Sequence, residues 1–150
     1  MRKIFASLAV ASFVFAAGVG AAQADGPNPV KYRQGVFQAV AWNFGPLVGM
    51  VKGKMDFNAD MVKANAENLV ALGKMMPGGF MAKGADKGEK TSAKAAIWED
   101  MDGFKAAYQK YVDAAANLAA TGAESKESLG KAVAQLGASC KACHKDYKEN

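Results

Sequence analysis

Apolar residues recur at helical spacing in four stretches of the chain. From Asn28, a good N-cap followed by Pro29 at the first helical position, the run Val30, Phe37, Val40, Phe44, Leu47 and Val51 keeps steps of three and four once Arg33 is counted. Gly45-Pro46 interrupts this first helix. Because proline lacks an N–H and crowds the preceding turn, a kink or short break is expected there, and Gly53 closes the segment. A second helix is predicted from Asn58, with Asp60 favouring the helix dipole and Met61, Leu69, Leu72 and Met76 on one side; Pro77-Gly78-Gly79 ends it. The glycines and lysines from Pro77 to about Ser92 predict an exposed connection, in which Phe80 stands out as a large apolar residue able to tuck back into the core. The third pattern, Ile97, Met101, Phe104, Tyr108, Tyr111, Ala115 and Leu118, alternates steps of four and three before a stop at Gly122. The fourth, capped by Ser125, runs Leu129, Val133, Leu136, Cys140, Cys143 and Tyr147. Four amphipathic helices and no alternating strand pattern predict an all-α fold, an antiparallel four-helix bundle whose one long connection crosses an end or runs diagonally.

The chain before Asn28 reads differently. Met1-Arg2-Lys3, an apolar run from Ile4 to about Val19 and small residues ending Ala22-Gln23-Ala24 form the pattern of a secretory signal, expected to be removed after Ala24. A membrane anchor is the weaker reading, because the strongly apolar part falls short of the about 20 residues a span needs. Residues 25–150 are then one exported domain, periplasmic in a bacterium with two membranes, and no later stretch is apolar enough to span a bilayer. With 150 residues, 51% of them apolar, the chain can build a single core and is not a disordered protein. Lys and Arg number 19 against 14 acidic residues, a net +5 that falls to +3 once Arg2 and Lys3 leave with the signal. That surplus is too small and too scattered along the chain to argue for nucleic acid.

The chemistry is concentrated in five residues. Both cysteines and the single histidine fall within Cys140-Lys141-Ala142-Cys143-His144. In C-x-x-C-H the two thiols can add to the vinyl groups of a heme while the histidine coordinates its iron, giving one covalent heme c per chain. On a helix these positions share one face, so all three can grip one flat cofactor. A disulfide oxidoreductase would fit an exported chain, but its active cysteine normally opens a helix in a βαβ setting. A structural zinc needs four ligands where this chain offers three Cys and His residues, and a lone buried disulfide with an incidental histidine is the blandest reading. Under heme binding, bis-histidine ligation within one chain is excluded, and the iron's sixth position decides between ligand binding and electron transfer. The early turns of the first helix present Arg33, Gln34, Val36 and Phe37 and no methionine before Met50, which favours an open, five-coordinate, high-spin iron. The alternative is a low-spin electron carrier with Met50, Met61, Met75 or Met76 as sixth ligand. A peroxidase is disfavoured because its chemistry usually wants a distal acid–base group, the only histidine is already used, and Arg33 could assist only weakly. Arg33, a charge on a core-facing position, either meets a heme propionate through paired hydrogen bonds or snorkels at the bundle end, and Gln34 can donate to the same carboxylate.

A secreted four-helix pattern with C-x-x-C-H beside the C-terminus resembles the class II c-type cytochromes, and specifically the cytochrome c′ family. The resemblance covers essentially all of residues 25–150 and is strongest at Val30-Lys31-Tyr32-Arg33-Gln34, at Ile97-Trp98 and at Gly137-Ala138-Ser139-Cys140-Lys141-Ala142-Cys143-His144. It implies a five-coordinate iron held by His144 that binds carbon monoxide and nitric oxide while binding oxygen poorly. It also implies that Phe37 blocks the distal face with a larger, stiffer wall than the leucine of many members. By the same matching Arg33 and Gln34 meet a propionate, Phe80 packs on the heme, and Lys148 lies near the proximal face. Two departures stand out: Pro77 replaces a tryptophan often found there, and Lys148 an arginine, which keeps the charge but loses the planar fork. The resemblance further implies a homodimer crossing its first two helices, for which Trp42, Val36 and Met50 offer surplus apolar surface.

Overall fold

Caps legible in the sequence set the ends of the long helices. In the computed structural model, which describes residues 28–149 apart from 83, 88 and 89, α1 (Pro29–Val51) opens on Asn28, whose side chain accepts from the Val30 and Lys31 amides. The expected signal segment lies outside the described residues. At its far end α1 stops on Gly53 at φ +70, with Lys54 N–H donating to the Gly49 carbonyl and Gly53 N–H to that of Met50. This double closure needs the left-handed conformation that glycine adopts without cost. Helix α2 (Ala59–Met75) is capped by Asn58, and α6 (Lys126–Tyr147) by Ser125. Between α2 and α6 stand two short helices, α3 (Gly78–Met81) and α4 (Ala96–Glu99), and the long α5 (Met101–Thr121).

Helix α1 packs on α2 and α6, and α5 packs on α2 and α6, so successive long helices are neighbours in an antiparallel four-helix bundle. The long connection therefore crosses one end of the bundle and does not run diagonally. Among the described residues there is no strand, only an isolated antiparallel bridge between Ala93 and Lys148. No described helix is long and apolar enough to cross a membrane.

Four expectations are corrected. Helix α1 runs unbroken through Pro46, because Leu47 and Met50 beyond it are fully buried and hold the last turns in place. Its buried stripe is Val30, Arg33, Val36, Asn43, Leu47 and Met50, so Val36 and Met50 belong to the core and supply no spare surface for a partner; Trp42 alone of that set stands out, 81% exposed. On α2 Leu69 and Met76 are buried and Leu72 packs on the core as expected, but Met61 is exposed and Val62, Ala66 and Gly73 complete the buried side. Small residues decide this face: a Cβ on Gly73 would stand 3.0 Å from the Tyr111 ring, so α2 and α5 approach more closely than larger side chains would permit. The third pattern is divided at Asp100, which leaves the helical region and caps α5 by accepting from the Gly103 amide. Ile97 keeps its buried place on α4 regardless.

Candidate functional site

Phe37, Val40 and Phe44, three apolar residues of α1 outside its buried stripe, face a cavity of about 870 Å³ between α1, α5 and α6. Its lining is largely apolar and its size lies within the range of about 300–1,000 Å³ usual for ligand pockets. All eight residues singled out from the sequence line it.

Helix α6 contributes Cys140, Cys143 and His144, one helical turn apart. Both thiols are half-buried and unpaired, and burial raises both pKa values; the neighbouring Cys140 and Asp146 raise that of Cys143 further. A catalytic disulfide cysteine has the opposite property, a lowered pKa at the start of a helix, so this pair is not poised for disulfide exchange. His144 is shifted the other way, its pKa lowered by desolvation and by Lys148, which favours the neutral imidazole that ligates metal.

The aromatic lining comes from four helices, α1, α3, α5 and α6. Phe37 and Phe80 meet edge to face with centroids 6.2 Å apart, and Phe80 lies 4.9 Å from Phe104, which in turn meets Tyr147 at 5.4 Å. Phe80 does tuck in: α3 carries it into a second apolar cluster with Ile97 and Phe104. Tyr111 donates to the Leu69 carbonyl at 2.9 Å and Tyr108 to that of Gly73, so their hydroxyls are satisfied by α2 while their rings line the cavity.

Arg33 does not snorkel. It is only 3% exposed, and its guanidinium donates to the carbonyls of Gly79 (3.1 Å) and Ala85 (2.8 Å) and to Thr91 Oγ1 (2.7 Å). Phe80 and Trp98 flank it, with centroids 5.3 and 5.6 Å from Cζ, and Trp98 is itself fixed by donating to the Phe80 carbonyl. Two of its five N–H groups make no bond to protein. Gln34 donates to the Lys90 carbonyl at 3.0 Å. Arg33 and Gln34 thus tie the long connection to α1 at the cavity's edge. Lys148, exposed at the end of α6, donates to the Glu149 carbonyl. Thr91 and Tyr108 are site residues that sequence reasoning missed; nothing in the pattern marks Thr91, and Tyr108 is indistinguishable by spacing from a core residue.

These side chains fit a heme. A flat apolar ring suits the aromatic lining, two thiols one turn apart suit its two vinyl groups, and a buried cation with free N–H groups suits its carboxylates. The family described as Cytochrome C′ matches residues 28–148. A cytochrome c′ of Cereibacter sphaeroides is 40% identical over 150 residues, covering 99% of this chain and 98% of its own. A solved cytochrome c′ from Rhodobacter sphaeroides superposes with a TM-score of 0.76 at 41% identity, over 81% of this chain and 95% of that one. The nitric oxide complex of a leucine-to-isoleucine mutant of cytochrome c prime from Alcaligenes xylosoxidans gives 0.73 at 35%, over 81% and 94%. With a match over nearly the whole chain and a cavity that suits the group, this chain belongs to the cytochrome c′ family, heme proteins that bind ligands or transfer electrons and are not enzymes.

Proposed function

We propose that this chain holds one heme c, attached through Cys140 and Cys143 with His144 on the iron, and takes up nitric oxide or carbon monoxide at a five-coordinate, high-spin centre behind a hydrophobic wall. The observation that carries this reading is that the three motif side chains and Phe37 line one apolar cavity. When bound, the heme supplies an iron that takes a small gaseous ligand and carries one electron. The chain's residues do the rest. Cys140 and Cys143 fasten the ring to α6, and His144, held neutral by its surroundings, offers a nitrogen lone pair. Phe37 supplies a hydrocarbon face from α1 that excludes water and offers no hydrogen bond, which favours neutral diatomic molecules. Phe80, packed on Phe37, limits how far that ring can turn away. Arg33 and Gln34 bind the propionate carboxylates, and Lys148 adds a positive charge beside His144. The solved nitric oxide complex of a relative supports the ligand class.

The low-spin electron carrier is the second reading, and one observation bears on it: of Met50, Met61, Met75 and Met76, only Met76 lines the cavity. It is 4% exposed and packed into the main core, which disfavours its release to a metal. We also infer export of residues 25–150 to the periplasm and a homodimer through α1 and α2, supported by the 81% exposure of Trp42. The test is an optical and electron paramagnetic resonance spectrum of the ferric holo-protein, followed by nitric oxide addition to the reduced form. A high-spin signal with nitric oxide uptake is expected. A low-spin spectrum with a methionine–iron charge-transfer band overturns the open site in favour of Met76.

A further inference from the structure

The positive surplus that looks scattered along the sequence is gathered in space. The described residues of 82–94 and 141–149 carry six lysines against three acids, while the rest of the chain from residue 25 balances at eleven basic and eleven acidic residues. These two stretches are stitched together at the cavity mouth. The Lys94 amide donates to the Tyr147 carbonyl at 3.1 Å, its Nζ to the Lys145 carbonyl at 3.0 Å, and the Glu149 amide to the Ser92 carbonyl at 2.7 Å. Lys148 bridges to Ala93 and lines the cavity, and Lys90 is held against the cavity wall through Gln34. Lys87, Lys90, Lys141, Lys145 and Lys148 are exposed. Asp86, Asp146 and Glu149 lie in the same stretches, yet none of the ion pairs among the described residues involves this border; both, Lys105–Asp102 and Lys131–Glu127, are elsewhere. The carboxylates of a bound heme leave the border positive, because Arg33 adds a further cation inside it.

We propose that this lysine border is the docking face for an acidic one-electron redox protein. The proposal rests on the heme reading. A positive border beside a low-dielectric cavity steers an acidic surface toward the site, and steering of this kind raises association rates by about 10–1,000-fold at low salt. In the exchange one electron leaves the reduced partner, which is oxidised by one, and the ferric iron is reduced to ferrous; no bond forms or breaks.

The test is stopped-flow reduction of the ferric holo-protein by reduced flavodoxin, an acidic protein, with hexaammineruthenium(II) as a small cationic comparison. Between about 10 and 200 mM salt the flavodoxin rate is expected to fall about tenfold as charges are screened, while the ruthenium rate does not fall. The double variant Lys90→Glu with Lys145→Glu is expected to abolish that salt dependence. Lys52→Glu with Lys63→Glu makes the same change in net charge at the far end of the bundle and is expected to leave most of it. Equal losses in the two double variants, or a flavodoxin rate indifferent to salt, overturn the docking face while leaving the heme reading intact. A chain that matures without covalent heme, read from its optical spectrum, overturns both.

Discussion

The two ends of the bundle are built from different materials. At the closed end Leu47, Met50, Val62, Leu118 and Leu129 are fully buried, and the helices touch mainly through aliphatic side chains. At the mouth the packing is aromatic and polar: Phe80, Ile97 and Phe104 form a small separate cluster, and a buried arginine is held by two carbonyls and a threonine. The closed end fills itself. The mouth encloses space, and what fixes its shape is hydrogen bonding across connections that carry little regular structure. Stability and function are therefore separable, because the residues that hold the helices together are mostly not the residues that line the cavity.

The sharpest test of that separation is at the motif. Cys140→Ala with Cys143→Ala is expected to abolish covalent attachment altogether, seen as loss of the heme band on a denaturing gel, while far-ultraviolet circular dichroism still reports a helical chain. The opposite experiment is Leu118→Ala, which creates a cavity at the closed end. Its cost is expected at about 2–5 kcal/mol, read from denaturant unfolding, with an unchanged ferric spectrum. A spectrum that shifts along with the stability breaks the comparison. Arg33→Leu falls between the two regimes. It leaves the carbonyls of Gly79 and Ala85 without their donor, for an expected loss of about 1–3 kcal/mol, and it alters the heme environment as well. Phe37→Ala removes the hydrocarbon wall, and carbon monoxide association is expected to rise about tenfold or more, equivalent to about 1.4 kcal/mol, with stability little changed because the ring is 37% exposed. An unchanged rate places the barrier elsewhere. The smallest effect is at Trp42, whose replacement by alanine is expected to leave monomer stability within about 0.5 kcal/mol and to weaken only the dimer, measured by sedimentation at several concentrations.

Local chemistry was the most legible part of the sequence. Asn28, Asn58 and Ser125 cap where their hydrogen-bonding side chains predict, and the stop at Gly53 follows from its positive φ. The motif brought its three residues to one helical face as helical spacing requires. The losses share a cause, which is that periodicity counts large apolar residues and ignores contact. It grouped Phe37, Val40 and Phe44 with the core, whereas that face of α1 lines the cavity and Val36 and Met50 pack inside. It overlooked Ala66 and Gly73, whose value lies in their smallness. Pro46 illustrates tertiary override: one missing backbone hydrogen bond is outweighed by the burial of Leu47 and Met50 on the next turn. The break at Asp100 was hidden because the apolar spacing continues across it while the backbone does not. Arg33 was legible as a misfit, but its partners on the long connection were not, since carbonyl groups leave no mark in a sequence.

The stitch between the long connection and the tail also has a meaning in time. Lys94 and Lys145 are 51 residues apart, and the amide that reaches Ser92 belongs to Glu149, almost the last residue of the chain. Contacts between such distant segments repay their loop-closure entropy only after the intervening helices have formed. The mouth is thus expected to close after the helices that carry it have formed. Until Ser92, Ala93 and Lys94 dock against Tyr147, Lys148 and Glu149, the cavity lacks the wall that Ser92, Ala93, Tyr147 and Lys148 give it.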